Sequence, residues 1–328
     1  MGNSKDKKNK SNNKTSRNRT TLFLVIACVV ISVTVLSLLV STNFEPASDS
    51  ISEDSVNLPK TYKTMSDHID ELSKTHTMRI FDSEIHFNYY LSDDDYNRHQ
   101  IGIPPSDGVR ITLNETYAEQ IIEIIKPNSK SVVIYPTFTS AAYQPFGFYH
   151  YYGDKCDEKC ITDISFENPT FDYTSSGWSA QILYEVGYDF LTDVEVDRNP
   201  EILQNYDVVI LLHNEYVTKK EFNALSNFPN LIFLHPNALY AEIDVDYDDN
   251  TITLIRGHEY PPPEYPSNGF DYEIEMRFHE YEYDNKCLDW KFIEFENGYH
   301  LNCYPESVIP ETLQIFEKLK ELTLILSK

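Results

Sequence analysis

In the middle of the chain the hydrophobic positions form short continuous runs, and near its end they alternate with polar positions. Three runs, at Ser131–Tyr135, Asp207–Leu212 and Leu231–Leu234, show no alternation and are typical of strands buried on both faces of a parallel sheet. Segments with helical spacing separate them, including one from Ser175 or Ser176 to Val186 and one at Lys219–Phe228. Connections of this size favour right-handed crossovers, so the pattern predicts an α/β fold with a parallel-sheet core over residues 131–240.

Beyond Tyr240 the pattern changes to alternation, which is typical of antiparallel strands. Glu242–Tyr247 and Thr251–Ile255 flank Asp248-Asp249-Asn250 and predict a hairpin. Further strands are predicted at Asp271–Tyr281, Cys287–Glu296 and Tyr299–Cys303. An amphipathic helix at Pro310–Ile325 closes the chain. We therefore expect a β-rich extension over residues 241–305 and a closing helix over residues 310–325.

The segments before the core are less regular. Strands are predicted at Ile80–Leu91 and Val109–Leu113, and Asn114 is expected to cap a helix that ends before Pro127. A short helix is expected at Ser66–Lys74. The stretch Thr137–Tyr173 is long, aromatic and without periodicity, and it predicts an irregular insertion with a functional role or a covalent tie.

The first sixty residues predict a membrane anchor. Leu22–Val40 contains no charged residue, and as a helix it would span about 29 Å, close to the thickness of the hydrocarbon core. Lysine and arginine dominate the preceding residues, so the positive-inside rule places them in the cytoplasm. The predicted organisation is a basic cytoplasmic tail (1–20), a transmembrane helix (21–40), a disordered stalk (41–60) and an extracytoplasmic domain (61–328). The alternative is a cleaved signal peptide, whose apolar region is usually shorter.

Charge narrows the range of partners. The net charge is −25 although the first twenty residues are strongly basic, so the rest of the chain is more acidic still. Such a surface repels phosphates, which excludes nucleic acid as a partner of the outer part. It favours cations or colloidal solubility. The expected partners are the membrane, through the N-terminal helix, and a small-molecule or cell-surface partner of unknown identity.

Four cysteines lie beyond the predicted span: Cys156, Cys160, Cys287 and Cys303. An even number outside the cell favours two disulfides, with three possible connectivities, and we prefer Cys156–Cys160 with Cys287–Cys303. A two-residue hairpin at Asn297-Gly298 would set Cys303 opposite Phe292, which counts against the second pair. A zinc site built from the four is the alternative.

Asn114-Glu115-Thr116 forms an N-glycosylation sequon on the expected outer side.

Polar residues follow two of the buried strands and form the candidate site. His213, Glu215 and Tyr216 come after one strand, and His235 and Asn237 follow the next. Ligands bind beyond the carboxyl ends of parallel strands, so these residues are candidates for acid–base or metal-ligand chemistry. The alternative is that His213 and His235 are hydrogen-bonded cap residues at strand ends.

Asp244-x-Asp246-x-Asp248 has the spacing that begins a calcium loop, but the glycine and final glutamate of that loop are missing, which favours the hairpin.

Residues Ser131–Tyr240 carry a family resemblance. The run Asp207–Ile210, then His213-x-Glu215-Tyr216, and Leu231–Leu234 ending near Asn237 resemble the flavodoxin-like, class I glutamine amidotransferase-like domain of the N,N-dimethylformamidase large subunit. The nucleophilic cysteine of amidotransferases is replaced by the turn His235-Pro236-Asn237. The resemblance implies a flavodoxin-like sheet. It also implies an iron held by tyrosines and a carboxylate, with Tyr216 as one possible ligand and the others unassigned.

Three functions are consistent with the sequence. The first is an anchored extracytoplasmic domain that binds a ligand or partner without thiol chemistry. The second is an amide hydrolase that uses His213, Glu215 and Tyr216, with no cofactor or with a metal ion such as iron. The third is a structural cell-surface protein.

Overall fold

The computed structural model describes residues 78–83, 86–100, 109–167, 175–262, 269–270, 287–308 and 313–328. The strands are β1 Met78–Ser83, β2 Phe87–Ser92, β3 Arg110–Leu113, β4 Ser131–Tyr135, β5 Ile164–Ser165, β6 Asp189–Thr192, β7 Val208–Leu211, β8 Tyr216–Thr218, β9 Leu231–Phe233, β10 Ala241–Asp246, β11 Thr251–Arg256, β12 Phe292–Phe295 and β13 Gly298–Leu301. The α-helices are α1 Asp93–Gln100, α2 Ala118–Ile125, α3 Thr137–Tyr143, α4 Phe148–Tyr152, α5 Gly177–Glu185, α6 Asp193–Arg198, α7 Lys219–Ser226 and α8 Gln314–Leu326. Short 3-10 helices lie at Glu158–Cys160, Pro200–Asn205 and Pro305–Ser307.

A six-stranded sheet in the order β12-β13-β9-β7-β4-β6 forms the centre of the fold. All its neighbouring strands are parallel except β12 and β13. Successive residues of β4 and β7 face opposite sides, and both sides are buried. Val133 and Ile210 pack in one core with α2, α5 and α8, whereas Ile134 packs in the second core, on the other face. Burial on both faces explains why these strands are continuous apolar runs, and the predicted parallel sheet is confirmed.

Polar caps begin two of the helices on the second face. The Thr218 side chain accepts a hydrogen bond from the backbone N–H of Glu221 at the start of α7. Thr192 and Glu195 form a reciprocal capping box at the start of α6. The predicted cap at Asn114 is not formed, because α2 begins after Tyr117 and the Asn114 side chain accepts from the Thr116 backbone instead.

Two smaller sheets accompany the central one. The sheet β1-β2-β3 is antiparallel, and buried Gln181 of α5 accepts from the backbone of Ile111 and donates to that of Val109. The other sheet has the order β5-β11-β10-β8. Four residues separate the end of β7 from the start of β8, so the chain passes from the central sheet to this one through residues 212–215. The segment that contains the candidate site is therefore the connection between two sheets.

Several segments differ from the sequence prediction. The expected strand at Ile80–Leu91 is two strands, β1 and β2, joined in a hairpin. The expected irregular insertion contains α3 and α4, whose lengths of seven and five residues are too short for a clear periodic signal. The β-rich extension is divided between two sheets. Strands β10 and β11 belong to the β5-β11-β10-β8 sheet, whereas β12 and β13 extend the central sheet.

Other predicted elements lie outside the described residues: the basic tail, the transmembrane helix, the stalk, the helix at Ser66–Lys74 and the strand at Asp271–Tyr281. Within the described part of the chain, no helix has the length and apolar composition needed to cross a membrane.

The four cysteines beyond residue 40 form two pairs, Cys156 with Cys160 and Cys287 with Cys303. The hairpin turn differs from the expected one by one residue, because Phe295 pairs with Gly298 and Phe292 pairs with Leu301. Cys287 and Cys303 therefore lie beyond the ends of the strand ladder, where their side chains can meet.

Candidate functional site

The candidate site lies where the central sheet changes direction. Strand β4 lies between β6 and β7 in the sheet. After β4 the chain forms β6 on one side of β4 and then crosses to form β7 on the other side. Crevices at the carboxyl ends of strands at such a switch point are the usual ligand sites of open α/β sheets. The residues after β4 and β7 are therefore brought together, and they include Tyr143 and Glu215.

Glu215 is the centre of the site, and its side chain has no solvent exposure. Its Oε1 atom accepts hydrogen bonds from Nδ2 of Asn237 at 2.8 Å and from the hydroxyl of Tyr149 at 3.4 Å, and Nε2 of His258 lies 2.6 Å away. Its Oε2 atom accepts a hydrogen bond of 2.7 Å from the hydroxyl of Tyr143 and lies 3.3 Å from Nε2 of His213. The two carboxylate oxygens of Glu215 thus have five polar groups as neighbours.

The network stabilises the ionised form of Glu215. Burial alone raises the pKa of a carboxyl group, but hydrogen bonds and positive charge from His213 and His258 outweigh burial and lower the pKa of Glu215 to about 2. The carboxylate is therefore a fixed negative charge inside the protein at neutral pH.

Tyrosines form one wall of the site. The hydroxyls of Tyr143 and Tyr149 lie 2.5 Å apart, and both contact Glu215. Burial, then the charge of Glu215, raises the pKa of Tyr149 and of Tyr216, so both phenols are neutral here. The hydroxyls of Tyr216 and Tyr152 are buried close to each other, and among the described residues neither makes a hydrogen bond of normal geometry. A buried hydroxyl in this position beside a carboxylate is able to bind a further polar group.

Stacked histidines lie beside the carboxylate. The rings of His213 and His235 lie 3.7 Å apart at 21°, and Tyr304 meets the ring of His235 edge-on at 4.3 Å. Burial, then the charges of His213 and His300, lowers the pKa of His235 well below its usual value, so His235 is neutral. The backbone N–H of His213 donates to Oγ of Ser176 at the start of α5, which fixes the start of the 213–215 segment.

The turn after β9 presents Asn237 to the carboxylate. The Asn237 backbone N–H donates to Nδ1 of His235 at 3.2 Å, while its side chain donates to Glu215. His300 of β13 contacts the same turn through the carbonyl of Pro236, at 3.2 Å from its Nε2 atom.

The structure brings together the predicted site residues His213, Glu215, Tyr216, His235 and Asn237, and all five are buried. His213 lies beside the Glu215 carboxylate and stacks on His235, whereas Nδ1 of His235 accepts from the backbone N–H of Asn237, the kind of contact that the cap alternative predicts. Sequence reasoning missed Tyr143, Tyr149 and His258. A signal for Tyr143 existed, since it follows β4 at the same edge of the sheet. His258 lies in the loop after β11, and its sequence carries no such signal.

The donor atoms limit which ions the site could hold. Among the described residues, no group of three or more histidine, cysteine, aspartate or glutamate side chains is arranged to hold a metal ion. A ligand set centred on Glu215 therefore needs the phenol oxygens. Carboxylate and phenol oxygens are hard donors, which suit hard cations such as ferric iron.

Comparison with known proteins gives one family. The family model described as N,N-dimethylformamidase beta subunit-like, C-terminal, matches residues 108–275, which is about half of the chain. The matched range includes β4 through β11 and therefore every residue that contacts the Glu215 carboxylate. A search of curated proteins found no match.

Proposed function

The chain belongs to the N,N-dimethylformamidase beta subunit-like family, and from this membership we propose that its α/β domain is a metal-assisted amide hydrolase. The observation that carries the proposal is the fully buried Glu215 carboxylate with the hydroxyls of Tyr143 and Tyr149 on its oxygens. The family description names an amidase that acts on N,N-dimethylformamide. The substrate class proposed here is a small amide.

The oxygen atoms fit a metal ion. The distances of 2.5, 2.7 and 3.4 Å among the oxygens of Tyr143, Tyr149 and Glu215 are close to the separation of about 2.9 Å between neighbouring oxygens of an octahedral site with short bonds. The buried hydroxyl of Tyr216, which makes no hydrogen bond of normal geometry among the described residues, is a further candidate ligand. Glu215, Tyr143 and Tyr149, with Tyr216 beside them, would therefore hold the iron that the family resemblance implies.

An iron ion held there would supply Lewis acidity toward an amide carbonyl. The protein supplies the orientation. Asn237 contacts one oxygen of Glu215 and His213 the other, and His258 contacts the carboxylate with 22 % of its own side chain exposed. The reaction adds water to the carbonyl carbon, breaks the carbon–nitrogen bond and moves a proton to the amine that leaves.

The topology also supports a relationship to the amidotransferase-like and flavodoxin-like folds. Counted from β4, the parallel strands of the central sheet follow the order 2-1-3-4-5, with β13 as the fifth. This is the order of flavodoxin-like sheets. At the turn after β9, the chain has His235, Pro236 and Asn237, so the proposal contains no thiol chemistry.

In this proposal the domain lies outside the cell membrane, held by the helix predicted at residues 21–40. The cysteine pairs, the sequon and the acidic composition support that location, since disulfides persist in oxidising compartments. The predicted membrane partner is part of the same proposal.

The test uses the purified full chain. Metal analysis after incubation with iron, together with amine release from N,N-dimethylformamide and related small amides, should show stoichiometric iron and hydrolysis. Both should be lost in Glu215→Gln and reduced in Tyr216→Phe, while Tyr117→Phe, a substitution at an exposed tyrosine, should leave both unchanged. Iron binding that survives Glu215→Gln would contradict the proposed site.

A second candidate is a domain that only binds a ligand or partner. It is favoured by the hydrogen bonds to Glu215, because donors of the protein itself contact both oxygens of the carboxylate. A folded protein that takes up no iron and hydrolyses no amide would support this second function.

A further inference from the structure

The turn after β9 is held from outside the Glu215 network by a residue of the neighbouring strand. His300 belongs to β13, where it pairs with Phe233 of β9 in parallel register. Because His300 lies opposite the last residue of β9, its ring reaches the turn that follows. Its side chain is 4 % exposed, so this contact is shielded from water.

The atoms of this contact define the protonation of His300. Its Nε2 atom lies 3.2 Å from the carbonyl oxygen of Pro236. A carbonyl oxygen can only accept, so Nε2 carries the hydrogen and donates it. Proline has no backbone N–H, so the carbonyl oxygen is the one polar backbone atom by which residue 236 can be held.

The turn after β9 connects the contact between His300 and Pro236 to the Glu215 carboxylate through Asn237. Asn237 follows Pro236 directly, and its backbone N–H donates to Nδ1 of His235. Its side-chain amide then donates to Oε1 of Glu215 at 2.8 Å. The direction of the Asn237 amide therefore depends on the orientation of the peptide between Pro236 and Asn237, and His300 holds the carbonyl of that peptide.

We propose that His300 is a positioning residue that aims the Asn237 amide at Glu215 by holding the carbonyl of Pro236. Without the donor at residue 300, the peptide after Pro236 keeps the hydrogen bond from its N–H to His235 but loses the one on its carbonyl, so the direction of the Asn237 side chain is held less firmly. The expected effect of His300 on activity rests on the proposed function, whereas its expected effect on Asn237 does not. Residues that orient a metal ligand from behind usually change metal affinity or activity by about 10- to 100-fold.

The test compares His300→Phe, which keeps a ring but removes the donor, with His300→Gln, whose amide can donate near the position of Nε2. The control is His86→Phe, a substitution beside β2 and away from the turn. The first readout is the side-chain amide signal of Asn237 in the full chain labelled at asparagine, identified by its disappearance in Asn237→Asp. We expect this signal to shift in His300→Phe, to return in His300→Gln and to stay in place in His86→Phe.

The second readout is iron affinity and amide hydrolysis. In His300→Phe we expect kcat or iron affinity to fall by about 10- to 100-fold with little change in KM, and His300→Gln to recover most of the loss. An unchanged Asn237 signal in His300→Phe overturns the proposal. An equal loss in both variants also overturns it, because a packing role would not distinguish a donor from its absence.

The two readouts separate this inference from the proposed function. A wild-type chain that neither binds iron nor hydrolyses amides contradicts the proposed function, and the Asn237 signal then decides the role of His300 alone. Hydrolysis in the wild type with an unmoved Asn237 signal in His300→Phe supports the proposed function and refutes the positioning role.

Discussion

The Nε2 atom of His258 lies 2.6 Å from the Oε1 atom of Glu215, so a partly exposed loop residue contacts a fully buried carboxylate. His258 and its neighbour Glu259 have φ values of 50° and 64°, which residues other than glycine rarely adopt. A strained backbone that delivers a side chain to a buried charge indicates a role at the site.

Replacing His258 should destabilise the protein by removing a donor from a buried charge. We expect His258→Leu to lower the free energy of unfolding by about 2 kcal/mol, the usual scale for hydrogen bonds to charged groups. His258→Gln keeps a donor and should lose less. Urea unfolding of the full chain measures both, and an equal loss in the two variants would show that the hydrogen bond to Glu215 is not the cause.

Tyr143 should be needed for iron binding. Its hydroxyl contacts both Glu215 and Tyr149, so Tyr143→Phe removes one hard oxygen from the centre of the ligand set. We expect iron affinity to fall by at least about tenfold. Equilibrium metal titration with Tyr117→Phe as the control tests this, and unchanged affinity would remove Tyr143 from the set of ligands.

Stability should fall as pH rises, because of buried acids on α6 and α7. Burial, opposed in part by backbone donors such as Phe138, raises the pKa of Asp193 to about 8, and burial and the charges of Asp193 and Asp197 raise that of Glu221. In the unfolded chain these groups ionise near pH 4. Between about pH 4 and 8 the unfolded state therefore releases protons that the folded state keeps, and the free energy of unfolding decreases.

Glu221→Gln should reduce that decrease. Both carboxyl oxygens of Glu221 are buried without a hydrogen-bond partner among the described residues, and its acidic neighbours are Asp193 and Asp197, the latter bonded to Thr218 and Tyr247. We expect Glu221→Gln to gain about 1–3 kcal/mol at pH 8 and little at pH 4. Denaturant unfolding at both pH values is the measurement, with Glu201→Gln at an exposed site as the control. An equal effect at both values would contradict the titration.

The two disulfides should differ in their contribution to stability. Cys287 and Cys303 are 16 positions apart in the sequence, whereas Cys156 and Cys160 are 4 positions apart. Loop closure gives about 3 kcal/mol for the longer loop and about 2 kcal/mol for the shorter one. Thermal unfolding of Cys303→Ala and Cys160→Ala should show the larger loss in Cys303→Ala. If the losses remain when wild type and variants are compared in reductant, they arise from packing and not from the disulfides.

Glycosylation tests both the sequon and the predicted direction of the chain across a membrane. Asn114 lies between β3 and α2, and Glu115 and Thr116 are exposed. Expressed through a eukaryotic secretory pathway, the full chain should gain one glycan at this sequon, and Asn114→Gln or Thr116→Ala should abolish it. A glycan that survives both substitutions belongs elsewhere, and an unmodified wild-type chain argues against an outer location.

The sequence predicts the centre of the fold better than its periphery. Val133 and Ile210 lie in strands buried on both faces, so composition alone marks these strands as parallel. Helices α3 and α4 could not be predicted, because their lengths of seven and five residues give too few turns for a periodic pattern.

The candidate site likewise combines residues that the sequence predicts with residues that it does not. Glu215 and Asn237 could be found because each follows a parallel strand, and strand ends share one edge of the sheet. Tyr149 belongs to the short helix α4, and His258 belongs to the loop after β11. Their approach to Glu215 depends on how separate layers of the fold pack together. No local pattern in the sequence encodes that approach.

The four residues between β7 and β8 join two sheets, and Glu215 is the last of them. Its backbone carbonyl accepts from Tyr240 and Ala241 at the start of β10, so the smaller sheet holds the main chain of the same residue whose side chain forms the site. Substitutions in the β5-β11-β10-β8 sheet can therefore shift the Glu215 carboxylate by small displacements without contacting it. Under the proposed amide hydrolysis, this layer is where the fit to different small amides can be adjusted while the central strands stay alike.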